Sequence, residues 1–248
     1  MLLERHGSLE IMIKTKKIIL FIVEGITDEM SLSLILSKLV QDCSVQFQII
    51  NQDITADFNS NCQNIIRKID SQVKQFLSQN NGLKKTDIKE IIHLVDTDGA
   101  FIKEDFVVED MKQEKTFYTH NSIVTNKRDL IVERNERKSN ILNKLYQTSH
   151  IGRIGYKVYF FSCNLEHVLH NLQNAPYNKK RVYSYDFVDK YVGCENKFVD
   201  FLSCNDFTAK GDYKETWQFI KEDSNSLNRY CNFHLYFKMN WNSGLNYE

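Results

Sequence analysis

Lys17-Ile18-Ile19-Leu20-Phe21-Ile22-Val23-Glu24-Gly25-Ile26-Thr27-Asp28-Glu29 carries an apolar run, Ile18 to Val23, that breaks on a carboxylate and a glycine. An unbroken apolar run of this length reads as a strand buried on both faces, as in a parallel sheet. Thr27 reads as the cap of a helix reaching about residue 41, with Leu32, Leu34, Ile35, Leu36 and Leu39 as its apolar residues. Glu24 then stands at the carboxyl end of a buried strand, where ligand sites in open α/β sheets gather. A plain charged turn is the simpler account of Glu24. Asp28 and Glu29 equally suit the first turn of a helix, where they complement its dipole.

A second strand ends the same way. Glu90-Ile91-Ile92-His93-Leu94-Val95 runs into Asp96-Thr97-Asp98-Gly99. Side chains alternate along a strand, so Asp96 and Asp98 share one side. Two such carboxylates repel unless a cation or a shared proton compensates, and a hard divalent ion suits them. The competing account is that Asp and Gly simply form a turn. A third strand, Tyr156 to Phe161, leads into Ser162-Cys163-Asn164-Leu165-Glu166. With a further strand at 45–50 and helices at 60–78 and 127–147, the order predicts an α/β chain with a mainly parallel sheet. Glu24, Asp96, Asp98 and Glu166 then fall on one edge of it.

Residues 99–125 read as an irregular excursion beside that edge, with short strands. The 127–147 helix carries Lys127, Arg128, Arg134, Arg137, Lys138 and Lys144, interleaved with Asp129, Glu133 and Glu136. That pattern is a solvated helix face before it is a nucleic-acid surface. After Pro176 the chain changes character, with Lys179-Lys180-Arg181 followed by aromatic helices at about 183–191, 195–204 and 213–222. Residues 231–237 fit either a helix or a strand. The domains expected are a leader at 1–16, an α/β domain at 17–175 and a helical C-terminal part at 176–248. Tyr213, Trp217, Phe219, Tyr230, Phe233 and Trp241 read as core rather than base-stacking residues.

The 248 residues are ample for a core. Thirty-two basic side chains balance 32 acidic ones, so any phosphate-binding surface has to be local. No apolar stretch reaches the roughly 20 residues of a membrane span. The six cysteines form no CxxC pair and read as reduced packing residues of a cytoplasmic protein. His167, His170 and Cys163 match no zinc spacing.

These motifs resemble the TOPRIM domain, the metal-binding unit of topoisomerases, bacterial primases and the OLD and RloB-like defence nucleases. Val23 to Glu29 is similar to the family's acidic motif after its first strand. Asp96-Thr97-Asp98 is similar to its DxD, and Ser162 with Glu166 to its serine-then-glutamate motif. Tyr213 to Trp217 and Ser226-Leu227 resemble small bacterial TOPRIM proteins. The resemblance spans about residues 17–175 and implies a Rossmann-like fold. It also implies a magnesium- or manganese-dependent nuclease with two ions, active on DNA or RNA in phage defence. No Walker motif is present, so an ATPase partner would be separately encoded.

Carried onto this chain, the resemblance makes Glu24, Asp28, Asp96, Asp98 and Glu166 the metal ligands. Glu24, Asp96 and Asp98 would be catalytic, together with a lysine at Lys210 or Lys214. Lys127, Arg128, Lys179, Lys180 and Arg181 are the expected nucleic-acid contacts. Two rivals stand beside this reading. One is a haloacid-dehalogenase-like phosphatase with Asp96 as nucleophile and Asp98 as acid/base. The other is a non-catalytic TOPRIM binding module.

Overall fold

A computed structural model describes residues 16–241 apart from 51, 204 and 205; most of the expected leader lies outside the described residues. The elements in chain order are β1 (Ile18–Val23), α1 (Ile26–Leu39), β2 (Ser44–Ile49), α2 (Ile65–Gln79), β3 (Ile88–Asp96), β4 (Val107–Glu109), β5 (Phe117–Tyr118) and β6 (Ile123–Thr125). There follow α3 (Arg128–Tyr146), β7 (His150–Ile151), β8 (Ile154–Phe161), α4 (Leu165–His170), α5 (Lys180–Tyr191), α6 (Glu195–Ser203), α7 (Tyr213–Phe219) and α8 (His234–Trp241).

The main sheet has the order β2-β1-β3-β8-β7. Its first four strands are parallel, and only β7 pairs antiparallel. The alternation of β1 explains its uniform apolarity. Ile19, Phe21 and Val23 enter one core with Leu32, Ile35, Leu36 and Leu39 of α1. Ile18, Leu20 and Ile22 enter the opposite core with Ile65, Ile69, Val73 and Phe76 of α2. The fold is therefore α/β, a mostly parallel sheet with helices on both faces, an arrangement compatible with a Rossmann-like fold.

The helices after residue 176 build no separate core among the described residues. Phe187, Tyr191, Phe198, Leu202 and Phe237 join the core of α1, and Trp217 and Ile220 join that of α2 and α3. The last segment is helical, after Cys231 bridges Phe161 and Thr208. One expectation is corrected: Thr27 does not cap α1; Gly25 does, its N–H donating to Asp28 Oδ2 at 3.0 Å. The excursion holds short strands, as expected, and they pair as a three-stranded sheet, β4-β6-β5.

His93, on the central strand, is fully buried. Its Nδ1 contacts the Tyr156 hydroxyl at 2.9 Å, and burial pushes it down to about 4. The folded chain keeps this ring neutral, while the unfolded chain protonates it below about 6.5. Its stabilising contribution is complete above pH 6.5 and is lost as pH falls toward 4. We expect the stability gap between wild type and His93→Gln, measured by urea unfolding, to shift against wild type by about 2 kcal/mol from pH 7 to pH 5. A gap independent of pH would contradict the neutral buried ring.

Candidate functional site

Parallel pairing in register brings the carboxyl ends of β1, β3 and β8 together: Ile22 lies beside His93, and Asp96 beside Phe161. Glu24 follows β1 directly, and its Oε1 accepts the Asp96 N–H at 3.3 Å. Asp28 sits in the first turn of α1. The three line a cleft of about 550 Å³ with Tyr177, Lys180 and Arg181 at its side.

The Asp98 turn is bolted in place. Thr97 Oγ1 donates to the Ser226 carbonyl at 2.7 Å and accepts the Cys163 N–H at 2.8 Å. Asp98 has φ of +48° and Gly99 has +69°. A Cβ at Gly99 would lie 2.5 Å from Leu227 Cδ2 and 3.1 Å from Ile123 Cδ1. Gly99→Ala is therefore expected to lower stability by about 1–3 kcal/mol, read from the urea midpoint. An unchanged midpoint would mean that the turn is not fixed.

Three side chains missed in the sequence, Lys138, Asp53 and Arg134, complete the site. Lys138 is fully buried, and its Nζ lies 2.5 Å from both Asp53 Oδ2 and Asp98 Oδ2. Asp53 is further held by the Thr55 N–H at 2.7 Å and the Thr55 hydroxyl at 2.5 Å. Arg134 donates to the Asp98 carbonyl at 2.8 Å and to the Tyr118 hydroxyl at 3.1 Å. Lys138 had read as part of a solvated face. Its spacing to Ile141, Leu142 and Leu145, all buried on α3, was the available signal, because it places the lysine on the apolar stripe.

The cations divide the carboxylates into two groups. Lys138 neutralises the Asp53–Asp98 pair, and Lys180 pairs with buried Glu166 at 2.9 Å. Glu24, Asp28 and Asp96 have no ion-pair partner among the described residues. Burial, then Asp53, holds Glu24 well above the usual carboxylate range. Burial, then Glu24, does the same to Asp96. Burial and Glu166 push Asp28 up to about 6. Burial works against ionisation of Asp53, but Lys138 and Thr55 hold it low. Among the described residues no three His, Cys, Asp or Glu side chains close around a point that would hold a metal ion.

The remaining expected residues separate. Lys180 and Arg181 line the cleft, whereas Lys127 and Arg128 do not. Arg128 is engaged by Glu104 at 3.0 Å and by the Val107 carbonyl at 3.0 Å. Lys127, Lys179, Lys210 and Lys214 are exposed, and Lys210 lies outside the cleft in the loop before α7. His167 is buried and His170 packs on Phe187. The described cysteines are free. No helix among the described residues is long and apolar enough to cross a membrane. The chain matches no family model, no curated protein and no solved structure.

Proposed function

We propose that this chain is a TOPRIM-type phosphodiesterase that hydrolyses nucleic acid with the help of a divalent metal ion. The observation that carries the reading is the set of carboxylates without a counter-cation, Glu24, Asp28 and Asp96, gathered where parallel strands end. The donor set fits magnesium or manganese. Magnesium takes one or two carboxylates and keeps several waters, so it needs no closed cage. With Asp98 given to Lys138 and Glu166 to Lys180, the donors that remain suit one ion rather than the two expected.

When bound, such an ion supplies Lewis-acid neutralisation of charge at the phosphoryl group. The chain's own residues do the rest. Lys180 and Arg181 hold phosphate oxygens at the cleft. Tyr177, 88% exposed beside them, offers a face on which a base stacks. Lys138 fixes the orientation of Asp53 and Asp98. By resemblance, the reading extends to phage defence beside a separately encoded ATPase.

A phosphatase with Asp96 as nucleophile leaves Glu24 without a role and finds its acid/base, Asp98, tied to a buried lysine. One assay set separates the readings. Wild type, Glu24→Gln and Asp96→Asn are tested on single- and double-stranded DNA, on RNA and on a phosphate monoester, with magnesium or manganese and with chelator. We expect metal-dependent cutting of a nucleic acid by wild type alone. Full monoester turnover by Glu24→Gln, with no nucleic acid cut, would replace the nuclease reading with the phosphatase.

A further inference from the structure

A second pocket, of about 350 Å³, shares no lining residue with the carboxylate cleft. It lies between the end of α4 and the loops carrying His120 and Arg229. Arg229 is built into place. Its Nε and Nη2 donate to the Val168 carbonyl at 3.0 and 2.6 Å, and its guanidinium stacks on Phe207 at 4.3 Å. One edge of the fork is thus pinned, and Nη1 has no hydrogen-bond partner among the described residues. A planar fork held this way presents fixed donors, the arrangement suited to a phosphate.

His167 lines the same pocket at 3% exposure. Its Nδ1 is buried without a hydrogen-bond partner among the described residues, a rare condition for a buried polar atom. An imidazole can donate a hydrogen bond from a ring nitrogen. His120 is exposed on the rim, set by Asn228 through contacts of 3.3 Å to its Nδ1 and 3.1 Å to its carbonyl. Asp206, exposed, is the only carboxylate lining the pocket among the described residues. A fixed cation and two imidazoles therefore line a pocket of about 350 Å³, with room for a phosphate group and part of what it is attached to.

We propose that this pocket is a phosphate-binding site, with Arg229, His167 and His120 as donors, taking either free phosphate or the phosphate of a nucleotide or nucleic-acid strand. The assignment does not depend on hydrolysis at the carboxylate cleft.

The test titrates the full chain, in chelator, with inorganic phosphate, a 5′-mononucleotide and a short single-stranded oligonucleotide. Calorimetry gives the affinity and the histidine ring proton signals give the place. We expect saturable shifts of His120 and His167, affinity lowered about tenfold or more in Arg229→Gln, and retained binding in Asp96→Asn. Tighter binding of the nucleotide or oligonucleotide identifies an esterified phosphate as the ligand; equal or weaker binding identifies free phosphate.

Arg229 also holds α4, so His120→Ala, altered at an exposed position, is the companion variant and is expected to weaken binding severalfold. Absence of saturable histidine shifts in wild type would overturn the proposal. So would unchanged affinity in His120→Ala together with unchanged affinity in a folded Arg229→Gln.

Discussion

Replacing Lys138 with methionine is expected to cost about 3–5 kcal/mol of folding stability, the usual penalty for removing one partner of a buried ion pair. Lys138 is fully buried, and it touches both Asp53 and Asp98 at 2.5 Å. Without it, two carboxylates stand unpaired beside Glu24, whose own ionisation already suffers from Asp53 and Asp98. Methionine matches the length of the lysine stem, so the loss reports charge rather than a cavity. Adding Asp53→Asn to Lys138→Met is expected to recover part of the loss, because the two residues act as one unit. Equilibrium unfolding in urea measures both. A Lys138→Met protein as stable as wild type would mean that the contact contributes nothing and that the site is not built around this lysine.

Glu24→Gln and Asp96→Asn are each expected to abolish metal-dependent hydrolysis while making the metal-free protein more stable. Both wild-type groups are held well above the usual carboxylate range, first by burial and then by Asp53 at Glu24 and by Glu24 at Asp96. The sign follows from linkage. A raised carboxyl binds its proton more tightly when folded, so its contribution is present at low pH and is lost as pH rises through the folded value. Each amide variant should therefore gain about 1–2 kcal/mol over wild type at pH 8. That gain should vanish below pH 4, where the wild-type carboxyls are protonated. Unfolding in urea at the two pH values, with chelator, reads the difference. Equal stability at pH 8 would show that neither burial nor mutual repulsion penalises these carboxylates.

The parts legible in the sequence were those with a period or a punctuation mark. The run Ile18 to Val23 could be read because both faces of β1 are covered, and the strand ends were marked by Glu24, Asp96 and Glu166. The helical spacing of Ile65, Ile69, Val73 and Phe76 placed α2 on its face. β7 and the strands of the small sheet span two or three residues each, too few to show alternation. Lys138 was missed because its neighbours in sequence, Glu136 and Arg137, suggested a solvated face, although its i+3, i+4 and i+7 positions are core residues. Asp53 was missed because a polar loop after β2 gave no cue that it folds back toward α3. Which carboxylates keep a counter-cation depends on Lys138 and Lys180 reaching them across long sequence separations, and local pattern carries no trace of that.

Calorimetric titration of manganese or magnesium into chelator-stripped wild type, Glu24→Gln and Asp96→Asn at pH 8 tests the central claim most directly. It asks whether the carboxylates left without a cation form a divalent metal site. The account predicts saturable binding by wild type, with loss in both variants. A wild-type protein that binds neither ion, or variants that bind as well as wild type, would contradict it.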